Sequence, residues 1–269
     1  MLKDITIGKY YNRKSPIHNL DCRTKLASTI LFIIAIFWVK NPIVYIPCFV
    51  YVLILYKLAN IPISHMIKGL KGFAILLVFT FIFQSSITAG REIFSIGFIT
   101  FTYEGIFKAI GLMSRIILMV LSASLLSYTT TPSQMASGLE KSLSFMEKFK
   151  VPVHEMAMMV SIAFRFIPVF IEEVNIIMEA QTSRGVDFYS GSVFKRMSKV
   201  MPLVIPLFVS AISRSSDLAL AMEARGYSSA SERTKFRPLV YTKNDFIAYA
   251  VAIIISFIII LSRFFISAI

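Results

Sequence analysis

The chain has 269 residues, of which 56% are hydrophobic and only 16% are charged. This composition excludes an ordinary soluble domain and indicates an integral membrane protein. The net charge of +13 follows the ends of apolar segments rather than a nucleic-acid-binding module, so nucleic acid is not expected as a partner.

Five apolar segments in chain order predict membrane-spanning helices. They cover residues 26–39, 43–56, 73–89, 109–127 and 246–262. The first two are shorter than the roughly 20 residues that cross a bilayer, so we expect Lys25, Lys40 and Lys57 to reach from the helix ends to the membrane surface. The expected fold class is all-α: a polytopic membrane protein with about five transmembrane helices and long amphipathic cytoplasmic helices.

The distribution of basic residues predicts the orientation of the chain in the plasma membrane. Of the 28 lysines and arginines, 23 precede the first span, lie between the second and third spans, or fall between Lys141 and Lys243. Lysine and arginine are retained on the cytoplasmic side of a membrane. We therefore expect a cytoplasmic amino terminus and an external carboxyl terminus.

Two further apolar stretches, 153–173 and 200–213, are expected to stay outside the bilayer. The first contains Arg165, and Pro202 and Pro206 interrupt the second. If both crossed the membrane, the basic residues between them would be stranded outside the cell. The predicted domains are a membrane domain of four spans (1–128), a cytoplasmic domain (129–244) and a carboxyl-terminal transmembrane helix (245–269).

A tripeptide motif occurs twice in this cytoplasmic region. The copies are Ser183-Arg184-Gly185 and Ala224-Arg225-Gly226, with their arginines 41 residues apart, and each follows a helical run that carries Glu179 or Glu223. A small residue permits close approach, the arginine offers a charged fork of N–H donors, and the glycine can end a helix at positive φ. The pair indicates either two helix ends that enter two similar sockets, or two ordinary glycine-terminated helices.

Methionine is concentrated in the same region, where nine of the 13 methionines lie between Met135 and Met222. Because methionine is flexible and polarisable, such a surface can adapt to different partners. The same residues are equally able to fill the space between these helices. The candidates for a partner-facing surface are Met156, Met159, Met178, Met197 and Met201.

The sequence lacks the residues that several classes of function require. Every aspartate and glutamate lies outside the five predicted spans, which argues against a proton- or sodium-coupled carrier. The sequence has no phosphate-binding glycine-rich loop, no nucleophile elbow and no metal-ligand spacing among its three histidines. We therefore expect a non-catalytic protein without a cofactor or a metal.

One basic residue, Arg115, lies within a predicted span. An arginine at the centre of a membrane costs about 2.5–3.5 kcal/mol unless it is paired or reaches the surface. We expect Arg115 to bind backbone carbonyls inside the helix bundle, or else to contact a substrate. Glu104 is the nearest acidic residue in the sequence.

Four further strings occur in order along the chain. They are Ser15-Pro16-Ile17-His18, Leu20-Asp21-Cys22-Arg23-Thr24-Lys25-Leu26, Thr129-Thr130-Thr131-Pro132 and Phe164-Arg165-Phe166-Ile167-Pro168. Together with the two arginine-glycine motifs, they resemble the transmembrane T-component of energy-coupling factor transporters over residues 8–262. Cys22 departs from the resemblance, because a proline is common at that position.

The resemblance implies a scaffold in an ATP-binding-cassette importer of vitamins or other micronutrients. A T-component holds a substrate-binding S-component in the membrane and rests its coupling helices on two ATPase subunits. ATP hydrolysis is then expected in those partners. Arg184 and Arg225, with their small neighbours, would each enter a groove on one ATPase.

Two other interpretations stay open. A conventional permease would form its own translocation path, and Glu179-Ala180-Gln181 followed by Gly185 superficially fits a permease coupling loop, but the second copy at Glu223 would be unexplained. A non-transport membrane scaffold would instead bind anionic lipid through basic clusters such as Lys195, Arg196 and Lys199.

Overall fold

The structure is a computed structural model that describes residues 10–266 apart from 12, 40, 97–98, 189, 191–192 and 228–238. Side chains are described over the same residues except 94–100, 193–197 and 263–266. The helices and strands in these ranges are α1 (Cys22–Phe37), α2 (Tyr45–Leu58), α3 (Ile63–Lys71), α4 (Ala74–Ile87), β1 (Glu92–Ile96), β2 (Ile99–Thr102), α5 (Tyr103–Thr129), α6 (Pro132–Leu143), α7 (Val153–Ser183), α8 (Val193–Ala224) and α9 (Lys243–Ile266). Short 3-10 helices at Pro42–Val44 and Ser144–Phe149 precede α2 and α7.

The chain divides into two compact units. The bundle unit comprises Gly8–Lys141 and Leu239–Ile269, and the α7–α8 unit lies within Ser142–Pro238. The division into a membrane domain and a cytoplasmic domain stays a prediction, since contacts within the chain do not locate a bilayer.

Polar side chains define where the helices of the bundle unit begin. The Asp21 carboxylate accepts a hydrogen bond from the Arg23 backbone N–H at 2.9 Å, and the Thr102 hydroxyl accepts one from the Gly105 N–H at 3.1 Å. At the start of α9 the Asp245 carboxylate accepts from the backbone N–H of Thr242 at 2.8 Å. Each interaction satisfies a backbone donor that a helix end leaves without a partner.

A buried cluster joins the starts of α1 and α9. Asp245 is fully buried, and its second carboxylate oxygen accepts the Asp21 backbone N–H at 2.8 Å. The Arg23 guanidinium pairs with Asp21 at 2.9 Å and stacks over the Tyr241 ring at 3.9 Å. Because one buried carboxylate accepts several donors, the cluster links segments that are more than 200 residues apart in the chain.

The apolar core of the bundle unit lies between α1, α2, α5 and α9. Its buried members include Ile36, Val52, Leu118, Leu121 and Ile259. The Tyr56 hydroxyl crosses this core and donates to the Leu121 carbonyl at 3.0 Å. Close packing of these side chains fixes the four helices against one another.

The sequence analysis expected Lys25 to reach the membrane surface, and this prediction is wrong. Its side chain is buried, and its ammonium donates to the His18 carbonyl at 3.0 Å and to the Thr129 carbonyl at 2.9 Å. These carbonyls replace the water that the charge would otherwise need. Lys57 is exposed as expected, while Lys40 lies outside the described residues.

The helices reproduce the predicted apolar segments with different ends. Among the described residues, three helices are long and apolar enough to cross a membrane: Tyr103–Thr129, Ser198–Ala224 and Lys243–Ser262. The α3–α4 pair, bent by 62°, would provide a fourth span if it is counted as one. The 42–58 segment is apolar but shorter. The all-α polytopic class is thus confirmed.

Two features of the fold were not predicted. The amphipathic helix α3 precedes α4, and an antiparallel β-hairpin with Ile96 opposite Ile99 connects α4 to α5.

Pro202 and Pro206, which were expected to interrupt an apolar stretch, lie inside α8 without ending it. Length and composition therefore admit a span within α8, and its cytoplasmic location stays a prediction.

Candidate functional site

The first arginine-glycine motif ends α7 in a tightly hydrogen-bonded turn. Gly185 has φ of +89°, and its N–H donates to the Thr182 carbonyl at 2.9 Å. The N–H of Val186 reaches back to the Gln181 carbonyl at 3.1 Å. This pair of bonds is the Schellman termination, which requires a left-handed residue that glycine adopts without strain.

The second motif ends α8 in the same way. Gly226 has φ of +68°, its N–H donates to the Glu223 carbonyl at 2.9 Å, and the Tyr227 N–H donates to the Met222 carbonyl at 2.9 Å. Every donor and acceptor is displaced by 41 residues from its counterpart in the first turn. The repeated sequence therefore produces a repeated backbone geometry.

Both arginines project from these turns into open space. Arg184 and Arg225 are exposed, and neither guanidinium has a hydrogen-bond or ion-pair partner among the described residues. A Cβ atom added at Gly185 or Gly226 would meet nothing within 4 Å. Each helix end thus offers an unobstructed cation with free N–H donors.

The neighbouring motif residues contribute mainly through the backbone. The Ser183 hydroxyl donates to the Glu179 carbonyl at 3.0 Å, a bond that Ala224 cannot form in the second copy. The Glu223 carbonyl accepts from Gly226. Both glutamate side chains are exposed. The two ends therefore share their backbone and their arginine, and differ in the small residue.

An ion pair links α7 and α8 at equal distances from the two motifs. Arg214 donates to the Glu173 carboxylate at 3.3 Å and to the Ser210 hydroxyl at 3.2 Å. Glu173 precedes Arg184 by eleven residues, and Arg214 precedes Arg225 by eleven residues. Each helical arm between the ion pair and its arginine is about 16 Å long and contains no proline. The sequence analysis did not predict this ion pair, although the two equal spacings of eleven residues are present in the sequence.

A second contact connects the end of α8 to the start of α7. The Tyr227 hydroxyl, just beyond the α8 motif, donates to the Met158 sulfur near the start of α7 at 2.9 Å. Since residues early in α7 contact residues late in α8, the two helices cross in opposite directions. The arginine-bearing ends consequently point away from each other.

The methionines predicted to face a partner are only partly exposed. Met156, Met159 and Met201 are 51%, 58% and 62% exposed, and Met178 is half-buried. The side chain of Met197 lies outside the described residues. Exposed apolar residues such as Ile205, Phe208 and Ile212 extend the Met201 surface along α8.

Arg115 lies in the bundle unit and binds a backbone carbonyl, as the sequence analysis expected. Its guanidinium donates to the Val39 carbonyl at 2.7 Å and to the Tyr45 hydroxyl at 3.3 Å. Glu104 is not its partner, because that carboxylate accepts the Arg91 backbone N–H at 2.8 Å. Within the described part of the chain, no three side chains are grouped in a way that could hold a metal ion.

Comparison with known proteins identifies the family. The profile of the family described as CbiQ, cobalt transport protein, matches residues 13–236, which include both arginine-glycine motifs. The energy-coupling factor transporter transmembrane protein EcfT of Ruminiclostridium cellulolyticum is 40% identical over 254 residues, or 94% of this chain and 95% of that protein. The chain belongs to the EcfT family. The proteins of the same name from Bacillus subtilis and Leuconostoc gelidum are each 42% identical, over 246 and 253 residues.

EcfT membership confirms the resemblance that the ordered motifs indicated. This chain is a membrane-embedded component of an energy-coupling factor transporter. Its length corresponds to that of its relatives, since the alignment with the Bacillus subtilis protein covers 91% of this chain and 93% of the other.

Proposed function

We propose that the chain is the coupling scaffold of a micronutrient importer. In this proposal it transmits the ATP-driven motion of two ATPase subunits to a separate substrate-binding subunit that takes up a vitamin or another micronutrient. The observation that carries the proposal is the pair of matching helix ends, each with a Schellman turn and an exposed arginine.

Two equivalent helix ends suit two equivalent sockets. A planar guanidinium can form two parallel hydrogen bonds to one carboxylate, so an acidic groove on each ATPase would hold one arginine. Truncating an arginine in such a desolvated pocket typically costs about 2–5 kcal/mol of binding free energy. That loss would uncouple the transporter without unfolding the chain, because neither arginine supports a contact within the described chain.

The crossing of α7 and α8 offers a route for the motion. The Arg214–Glu173 ion pair lies at the same separation from both arginines, so the two arms are of equal length. When the ATPases move their sockets together, both arms would tilt about this crossing. The exposed methionines and the apolar face of α8 would then reorient a substrate-binding subunit packed against them.

The proposed orientation follows from charge. The amino terminus and both arginine-bearing helix ends lie in the cytoplasm, where the ATPases are, and the carboxyl terminus is external. Of the 28 lysines and arginines, 23 would then lie on the cytoplasmic side.

The test is a co-purification of the ATPases with charge-preserving variants. Arg184→Lys combined with Arg225→Lys keeps the net charge and removes both guanidinium forks. We expect the double variant to capture at least about tenfold less ATPase and to support less uptake. Arg91→Lys is the matched control, because Arg91 is exposed on the segment between α4 and β1.

Undiminished capture by the double variant would refute the socket assignment. The subunit masses of the intact complex give an independent check on the stoichiometry. One copy of this chain per two ATPases is expected, whereas two copies would indicate a paired permease that forms its own path.

A further inference from the structure

A cavity of about 910 Å³ opens at one end of the bundle unit. The end of α1, the 3-10 helix before α2 and the first turns of α5 form its walls, and Gln84 of α4 and Ser262 of α9 complete them. All of these elements belong to the same unit. The coupling function proposed above does not use this cavity.

The cavity is rich in hydrogen-bond donors and has no acidic side chain among its described lining residues. Arg115 and Lys108 contribute two positive charges. The Asn41 side-chain oxygen accepts the Ile43 N–H at 3.1 Å, which leaves its amide N–H groups available. The lining chemistry therefore suits an anion with several acceptor oxygens.

Arg115 keeps most of its donors free. Two of its five N–H groups are used, one on the Val39 carbonyl and one on the Tyr45 hydroxyl, and no other described protein atom accepts from it. The two bonds hold the guanidinium in a fixed orientation beside the cavity. A fixed, partly used fork is well suited to a phosphate group.

The spacing along α5 brings both cations to one face. Lys108, Gly111 and Arg115 follow the i, i+3, i+7 pattern, and the cations are about 10 Å apart along the helix axis. Gly111 has no side chain to fill the space between them. A Cβ there would be in ordinary packing contact with Pro42 at 3.6 Å and Tyr45 at 3.8 Å.

The mouth of the cavity is apolar and aromatic. Phe37, Trp38 and Phe107 line it and are 55%, 50% and 48% exposed. Tryptophan, like Trp38 here, is enriched where a membrane meets water, and the two phenylalanines add apolar surface beside it. A soluble anion gains nothing from such a mouth, whereas a lipid with an anionic headgroup can place its acyl chains against it.

We propose that this cavity binds the phosphodiester headgroup of an anionic phospholipid. The phosphate oxygens accept from Arg115 and Lys108, and the acyl chains lie along the exposed apolar residues of α1 and α5. Glu104 precedes Lys108 by one turn but is not part of the lining, and its carboxylate is held by the Arg91 N–H. In the proposed orientation the site faces the outer leaflet.

The sole tryptophan of the chain makes this site directly observable. Trp38 lines the cavity, so its fluorescence reports on what occupies it. The full-length protein is reconstituted in phosphatidylcholine vesicles that contain increasing fractions of either brominated phosphatidylglycerol or brominated phosphatidylcholine. Bromine quenches tryptophan at short range. We expect half-maximal quenching at a phosphatidylglycerol fraction about fivefold below that for phosphatidylcholine.

Two variants test whether the cavity cations cause the preference. Lys108→Gln removes one charge from an exposed side chain and should abolish most of the selectivity. Lys57→Gln removes the same charge at the end of α2, away from the cavity, and should leave it unchanged. Equal quenching by both lipids in the unmodified protein would overturn the proposal, as would equal behaviour of the two variants.

A competition experiment distinguishes a lipid from a free anion. Inorganic phosphate at millimolar concentration should leave the quenching by brominated phosphatidylglycerol in place. Loss of the selectivity under these conditions would show that the site takes soluble phosphate, and the lipid assignment would be wrong. None of these measurements uses the ATPases, so their outcome is independent of the proposed coupling function.

Discussion

The bundle unit and the α7–α8 unit differ in how they bury apolar side chains. The bundle unit encloses a cluster of 17 buried hydrophobic residues, whereas the described part of the α7–α8 unit has only Val153 and Leu203 below one-tenth exposure. Along α8, residues such as Phe208 and Leu220 are about two-thirds exposed. The bundle unit is therefore stabilised by its own packing, while α7 and α8 present surfaces that lipid or a partner must cover.

The largest expected effect comes from one substitution made in both regions. Leu118→Ala shortens a fully buried side chain in α5 and should lower the free energy of unfolding by about 3 kcal/mol, because the substitution leaves a new cavity and removes packing contacts from the neighbouring side chains. Leu220→Ala, at a position 65% exposed in α8, should change it by less than about 0.5 kcal/mol. Denaturation of the purified chain followed by far-ultraviolet circular dichroism, which reports on the helices of both units, measures both. Equal losses would remove the contrast between the units.

The second prediction concerns buried polar groups. Asp245→Asn replaces a carboxylate that accepts from the Asp21 N–H and from both the N–H and the hydroxyl of Thr242. We expect a loss of about 2 kcal/mol, because these donors lose a charged acceptor. Asp217→Asn, at an exposed site on α8, is the control and should have little effect. Thermal midpoints of the two variants should separate clearly.

The third prediction separates backbone conformation from packing. Gly226→Ala and Gly72→Ala both place a Cβ where nothing lies within 4 Å. Gly226 has φ of +68°, so alanine should destabilise the end of α8 by about 1 kcal/mol. Gly72 has φ of −63°, and alanine should be neutral or slightly stabilising there. Hydrogen exchange at residues 222–227 measures the fraying of α8. Unchanged exchange in the Gly226 variant would contradict the Schellman assignment.

The smallest expected effect is a pH dependence of the bundle unit. Burial holds the pKa of His18 below its ordinary value of 6.5, and the nearby Lys25 charge acts in the same direction, while a hydrogen bond to the Tyr11 carbonyl opposes them. The unfolded chain therefore binds a proton at higher pH than the folded chain does. The free energy of unfolding should fall as the pH drops below about 6.5.

His18→Asn is the control for this titration. Thermal midpoints at about pH 7.5 and about pH 5.5 should differ more for the unmodified protein than for the variant. A variant that loses as much stability on acidification as the unmodified protein would exclude His18 as the cause.

Long apolar segments were predictable because they follow from composition alone. The helices α4 and α9 match predicted spans to within a few residues at both ends. The helix α5 ends close to the predicted end of its span but begins earlier in the chain. The amphipathic α3 was missed because its nine residues carry too weak a periodic pattern. The two strands of the β-hairpin, of five and four residues, were missed for the same reason. The Lys25 prediction was wrong because its acceptor on Thr129 is 104 residues away.

The sequence by itself determined the membrane class, the family and the two repeated helix ends. These depend on composition, on ordered strings and on a local turn in which glycine supplies positive φ. Only the tertiary structure decided which carbonyls hold Lys25 and Arg115, where α7 crosses α8, and that Trp38 lines a cationic cavity. Such features join residues far apart in the chain, and neither periodicity nor spacing encodes which distant groups will meet.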